Sequence, residues 1–256
     1  MSIYYKEISN EIEIFNKVFL NKLPLMLKGP TGCGKSRFVE KMAQMKNIPL
    51  IQVACNEETS AIDLQGRYLM QNGNTIWQNG PATTAVKNGY ILYLDEISEA
   101  REDVIVVIHP LSDHRRELYL DKTNEIIKAH NNFMLIASYN PGYQNKMRDL
   151  KPSTKQRFIT LEFDYPNPKV EQEIICFETN IDDNNAVKLI KFAQKLRNLK
   201  EIELLETVST RLLINTAKLI VSGLDIKLSF NIGIIQALTD DKEIQLSLND
   251  LLKLII

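Results

Sequence analysis

The chain has 256 residues, 44% of them hydrophobic and 25% charged, which suits one large globular domain, or a large one with a smaller companion, and excludes a disordered chain. Its 31 basic and 32 acidic residues leave a formal net charge of -1, so no overall basic field calls for nucleic acid or an anionic membrane. No apolar run approaches the roughly 18 residues that span a bilayer and the start lacks an apolar signal segment, so a cytoplasmic protein without membrane insertion is expected.

Ile8, Ile12, Phe15 and Phe19 recur at helical spacing and predict an amphipathic helix ending near Asn21. The period then changes. Short apolar runs at 24–27, 49–54, 90–94, 133–138 and 158–163 read as strands, with helical patterns between most of them at 36–45, 82–88 and 101–111. Such alternation implies an α/β domain, a parallel sheet flanked by helices on both faces. The intervals 66–81 and 115–130 place β-formers around turn residues and are predicted as two β-hairpin insertions. Strands stop at Pro166 and Pro168. Helical spacing then covers 170–178, 186–199 and 210–221, with two shorter helices to Ile256. An α/β domain over 1–166 and an all-helical domain over 167–256 are therefore expected. The apolar tail at 251–256 reads as core of the helical part, with a partner-facing strip as the alternative. Cys33, Cys55, Cys176, His109, His114 and His130 follow no metal-ligand spacing and read as reduced or structural side chains.

GPTGCGKS, Gly29 to Ser36, fits the P-loop pattern and lies between a predicted strand and a predicted helix, the context that motif needs. Gly29, Gly32 and Gly34 let the backbone approach phosphate, Pro30, Thr31 and Cys33 complete the candidate nucleotide-binding loop, Cys33 at an unconstrained position, and the helix start favours negative charge. Lys35 is placed to reach the β- and γ-phosphates of ATP and Ser36 to ligate Mg2+, while Arg37 closes the candidate nucleotide-binding set.

YILYLDE ends a strand in Asp95 and Glu96 at the carboxyl edge, where open α/β sheets bind ligands. Asp95 would hold the metal, directly or through water, and Glu96 would orient and deprotonate the attacking water. Asn140 follows the next strand, either to position that water or simply to turn the chain before Pro141; local reasoning leaves these at parity. Ser209 reads as a helix N-cap with Arg211 in the first turn, a cation that opposes the helix dipole at small cost; an exposed arginine is the default reading on local grounds, and a phosphate beside the P-loop is the alternative that would explain the placement. Arg157, at the entry to the last strand, has no obvious partner in its own chain and reads either as a surface arginine or, as its position suits, as an arginine finger offered to a neighbour's γ-phosphate; Arg116 and Arg148 are weaker candidates for related roles.

Together GPTGCGKS, YLDE, VVIHPLSDHRREL, SYNPGYQN, LKPSTKQRFITLEFDYP and STRLL resemble the CbbQ/NirQ/NorQ group of MoxR-type AAA+ ATPases, from about Tyr5 into the helical part. The resemblance implies an AAA+ P-loop NTPase core with a helical lid, assembled as a homo-hexamer with ATP and Mg2+ at subunit interfaces. By position it makes Lys35 and Ser36 the Walker A residues, Asp95 and Glu96 the Walker B pair, Asn140 sensor 1, Arg157 the trans finger and Arg211 sensor 2. The hairpins at 66–81 and 115–130 match the clade's helix-2 insert and pre-sensor-1 hairpin. It also implies a von Willebrand factor A-domain adaptor protein and a client metalloenzyme or Rubisco: Rubisco for CbbQ, nitric oxide or nitrite reductase for NorQ and NirQ. Thr84, where an arginine is expected, and NEET at 56–59, where a histidine/aspartate-like segment is expected, depart from the group's pattern. The rival readings are a monomeric P-loop phosphotransferase, a gas-vesicle assembly ATPase of the GvpN type, and a nucleotide-gated scaffold, the last opposed by the intact Asp95 and Glu96 pair.

Overall fold

In the computed structural model, which describes residues 3–141, 150–199 and 207–256, the amphipathic start folds as α1 (Glu11–Leu20) and buries Phe15 and Val18. β1 (Leu25–Lys28) leads through the Gly-rich loop into α2 (Lys35–Lys46), and β2 (Leu50–Ala54) follows. A short helix, α3 (Ala61–Gln65), precedes the hairpin of β3 (Gly66–Gln71) and β4 (Asn74–Asn79). Asn72 and Gly73 turn that hairpin with φ of 51° and 78°, the left-handed pair that an Asn-Gly turn supplies. Next come α4 (Pro81–Asn88), β5 (Ile91–Asp95) and α5 (Glu102–Ile108). The second hairpin pairs β6 (Glu117–Leu120) with β7 (Glu125–Lys128), and β8 (Met134–Tyr139), α6 (Pro152–Lys155) and β9 (Ile159–Glu162) complete the α/β part.

Five strands form one parallel sheet in the order β2-β5-β8-β1-β9. Burial tracks this order. All six residues of the central β8 are buried, whereas edge strand β9 is mostly exposed, as expected when only inner strands are covered on both faces. The order also decides where the functional segments emerge. Leu94 pairs with Ala137 and Lys28 with Tyr139, so β5, β8 and β1 end side by side and release Asp95, Asn140 and the Gly-rich loop at one edge.

Several elements differ from the sequence reading, including the end of the chain, where three helices and a π-turn follow Val221 in place of the two shorter helices expected. The helix expected over 101–111 stops at Ile108, because Pro110 has no N–H with which to continue it. The short helices α3 and α6 and a 3-10 turn at Ile97–Glu99 carry too few residues to show a period. For α3 a local signal existed: Ser60 sits three residues before Asp63, whose Oδ2 accepts the Ser60 N–H at 3.0 Å, half of a capping arrangement.

The chain divides into two compact units, the first mainly Ser9–Gly29 and Lys35–Phe163, the second Tyr4–Ile8, Pro30–Gly34 and Asp164–Ile256. The second unit is helical beyond Asp164. It contains α7 (Pro168–Thr179), α8 (Asp183–Asn198), α9 (Thr210–Val221), α10 (Ile226–Phe230), a π-turn at Asn231–Ile235, α11 (Gln236–Leu238) and α12 (Lys242–Lys253). The side chains of Asn167, Asp182, Ser209, Asp225 and Asp241 accept backbone N–H bonds at the starts of α7, α8, α9, α10 and α12, each satisfying a donor that the helix leaves open. Ile175, Phe192, Leu213, Phe230 and Leu252 belong to its core, against which Leu251, Ile255 and Ile256 pack. The tail is thus largely core, although Leu254 is exposed. No helix among the described residues is long and apolar enough to cross a membrane.

Candidate nucleotide site

The first unit gathers its polar groups at the end of β5. Ser36, in the first turn of α2, donates its hydroxyl to Asp95 Oδ2 at 3.1 Å. The Tyr93 hydroxyl lies 2.7 Å from Asp95 Oδ1 and 3.1 Å from Ser138 Oγ, and Ser138 donates to Asp95 Oδ1 at 2.5 Å. Ser138 also accepts the backbone N–H of Glu96 at 3.1 Å. Asp95 Oδ1 is therefore held from inside the sheet, while Oδ2 accepts from Ser36 of α2 and from Gln52 Nε2 at 3.4 Å. Burial and the Asp95 charge push the Tyr93 phenol well above its usual range, so it stays a hydroxyl and a donor. Glu96 adopts left-handed φ and ψ of 56° and 47°, a costly backbone for a residue with a Cβ and one that clusters at functional sites.

Lys35 is buried and donates to the Gly29 carbonyl at 2.8 Å. Asn140 follows β8 directly and is partly buried. Arg37 lies on α2 one residue beyond Ser36 and is 3.9 Å from Glu40.

The loop tip, Pro30–Gly34, belongs to the second unit. Gly32 and Gly34 have φ of 71° and 102°, a conformation that side chains resist. A Cβ on Gly32 would lie 2.7 Å from Ser209 Cβ and 3.3 Å from Arg211 Cβ. Beside Gly34, by contrast, no atom of the described residues comes within 4 Å of that position. The loop thus bends as a phosphate cradle does, with Arg211 beside its Gly32. Tyr165, outside the set that the sequence nominated, donates its hydroxyl to the Thr31 carbonyl at 3.0 Å.

The residues fit Mg2+ and nucleotide on this structure's own terms. A hydroxyl and a carboxylate that meet beside a lysine are the hard oxygen donors Mg2+ takes, and the left-handed glycines open backbone N–H groups toward an anion. Tyr93 and Ser138 escaped the sequence reading because they look like ordinary sheet residues. The only available signal was polar atoms in otherwise apolar strands.

Two arginine readings need correction. Arg157 does have a partner in its own chain: it reaches Asp113 Oδ2 at 2.9 Å, and Asp113 also takes two side-chain bonds from Arg115 at 3.0 and 2.7 Å and its backbone N–H at 3.1 Å. These guanidinium groups hold the Asp113 carboxyl well below the usual carboxylate range. The sequence hid this because the pair is 44 residues apart. Arg157 Nε is buried without a hydrogen-bond partner among the described residues. Arg116, a weaker finger candidate, instead ties down backbone: it donates to the carbonyls of Lys22 at 2.7 Å and Phe133 at 3.0 Å. Arg148 lies outside the described residues.

The chain matches the family description "AAA domain (dynein-related subfamily)" over residues 24–158 and "CbbQ/NirQ/NorQ C-terminal" over 171–255. It is 51% identical to Protein CbbQ of Hydrogenophilus thermoluteolus across 96% of this chain and 92% of the relative. With Protein NorQ of Paracoccus denitrificans the figures are 49%, 97% and 92%, and with the denitrification regulatory protein NirQ of Pseudomonas aeruginosa 47%, 98% and 96%. Among solved structures, a point mutant of RuvB from Thermotoga maritima aligns with a TM-score of 0.57 at 15% identity, across 96% of this chain and 69% of that one. NtrX from Brucella abortus aligns with a TM-score of 0.59 at 16% identity, across 85% and 51%. At those identities the likeness is one of fold, the AAA+ P-loop NTPase fold.

Proposed function

We propose that this chain, which belongs to the CbbQ/NirQ/NorQ family of AAA-domain proteins, hydrolyses ATP to ADP and phosphate and couples the cycle to remodelling another protein. The observation that carries the reading is the approach of Ser36 to Asp95 at 3.1 Å, immediately after Lys35, in a chain with relatives of this name along nearly its whole length.

Each residue has a task. Lys35 would leave the Gly29 carbonyl for the β- and γ-phosphates, trading a neutral acceptor for an anionic one, which makes the stronger bond. Gly29 to Gly34 would cradle the phosphates by backbone N–H, and Arg211, beside Gly32, would add charge to them. Ser36 and Asp95 would hold Mg2+, which when bound neutralises charge on the phosphate oxygens. Glu96 would accept the proton of the attacking water, and Asn140 would orient that water. Arg157 would serve a neighbour's site, exchanging Asp113 for a phosphate; such a finger is worth about 10³ to 10⁵ in rate.

The assembly proposed is a cytoplasmic homo-hexamer with 1–166 as the nucleotide-binding domain and 167–256 as the helical lid. A von Willebrand factor A-domain adaptor would link it to a client enzyme, Rubisco or a nitric oxide or nitrite reductase. Membership of the CbbQ/NirQ/NorQ family supports that choice of client class. The deciding experiment is ATP turnover per subunit against protein concentration with Mg2+ present. A specific activity that climbs with concentration is expected for sites completed between subunits; a constant one would restore the monomeric phosphotransferase.

A further inference from the structure

The second unit contains an ion pair that nucleotide chemistry as described does not use. Glu171 on α7 has no exposed surface, and its two oxygens accept from Arg197 of α8, each at 2.8 Å. The pair's other side-chain hydrogen bonds go to the start of α9. Arg197 Nε donates to the Val208 carbonyl at 2.9 Å, and the Thr210 hydroxyl donates to Glu171 Oε1 at 2.6 Å. Val208 and Thr210 flank Ser209, the N-cap of α9. On its other side the Arg197 guanidinium lies 4.3 Å from the centre of the Tyr165 ring, and the Tyr165 hydroxyl holds the Thr31 carbonyl of the Gly-rich loop at 3.0 Å.

A buried ion pair is a poor device for stability alone, since desolvation offsets most of its attraction; its better attested use is to select one arrangement among several. Here three nitrogens of Arg197 are engaged and its flat face is stacked, a geometry that lysine cannot reproduce. The arrangement it selects brackets Ser209 from both sides and pins the loop at Thr31. Between these anchors, Gly32 lies against Ser209 and Arg211 so closely that a Cβ would clash.

We propose that Tyr165, Arg197, Glu171 and Thr210 are positioning residues that hold Arg211 in register with the phosphate loop, so that nucleotide affinity depends on side chains that touch no nucleotide. The assignment rests on the proposed nucleotide site and deepens it. Tyr165 acts on the loop, Thr210 acts on the turn that carries Arg211, and Arg197 with Glu171 joins the two.

The test is binding of a fluorescent N-methylanthraniloyl ATP analogue with Mg2+ to the full chain. Tyr165→Phe and Thr210→Val each delete one hydroxyl and are expected to weaken binding about three- to tenfold, the range for one hydrogen bond. The effect of Thr210→Val should shrink to within about twofold in an Arg211→Ala background, because its route to the ligand is gone. Thr210→Ser, which keeps the donor, should restore affinity even where Thr210→Val lowers the melting temperature. An unchanged loss from Thr210→Val with Arg211 absent, or no rescue by serine, overturns the proposal. If the unaltered chain binds no analogue, the nucleotide reading fails first and takes this assignment with it.

Discussion

Arg157 and Asp113 are joined at 2.9 Å although they lie 44 residues apart, and Asp113 is shared with Arg115. The finger candidate is thus held in a defined direction by its own chain.

Arg157→Ala should lower ATP turnover at least about 10³-fold, the lower bound for a trans arginine, while leaving analogue binding by the isolated subunit unchanged. Mixing it with Glu96→Gln, also inactive alone, should recover activity, since one mixed interface pairs an intact Glu96 with an intact Arg157. Turnover by the mixture no higher than the sum of its parts would remove Arg157 from that role.

Tyr93 and Ser138 fasten one oxygen of Asp95 and leave the other to Ser36 and Gln52. Tyr93→Phe preserves the buried ring and deletes only the hydroxyl. A hydrogen bond to a charged group is worth about 1.5–3 kcal/mol, so the Mg2+ concentration for half-maximal turnover should rise at least about tenfold. Nucleotide binding without Mg2+ should not move, and a titration of turnover against Mg2+ reads the difference.

Gly32→Ala combines a φ of 71° with a Cβ 2.7 Å from that of Ser209. Strain of this kind costs about 1–3 kcal/mol, or roughly 3–10 °C in melting temperature for a chain of this size. Gly34→Ala carries the backbone strain at φ 102° without a neighbour among the described residues, so it should melt higher than Gly32→Ala. Thermal melts of the two variants side by side test the ranking.

Cys55 gives a pH signature. Burial, with the Asp95 and Glu96 charges added, pushes its thiol from 9.0 up to about 12. The native chain therefore keeps a proton that the unfolded chain releases, and this contribution to stability is complete below pH 9 and lost as pH climbs toward about 12. Denaturant midpoints should fall across that window, less steeply in Cys55→Ala. At pH 8 the native Cys55 should resist alkylation that the unfolded chain undergoes at once.

Local chemistry exposed much of the fold. All five sheet strands appear within a residue or so of their apolar runs, and both hairpins form where turn residues stand, because strand period, Asn-Gly turns and helix caps are properties of neighbours in the chain. Ser209 caps α9 and places Arg211 in its first turn as its side-chain oxygen dictates. The P-loop was legible for the same reason: its glycines, lysine and serine are contiguous.

Sequence by itself determined the family, the nucleotide motif and the succession of strands and helices, since each is written in adjacent residues or in a short period. Tertiary structure alone decided the sheet order that brings Asp95, Asn140 and the loop to one edge, the buried partners Tyr93 and Ser138, the Asp113 hold on Arg157, and the clasp of Glu171 and Arg197 around Ser209. The pairs Glu171–Arg197, Asp95–Ser138, Asp113–Arg157 and Tyr93–Ser138 lie 26, 43, 44 and 45 residues apart in the chain. Which partners meet depends on how strands order and helices pack, information that no local spacing contains.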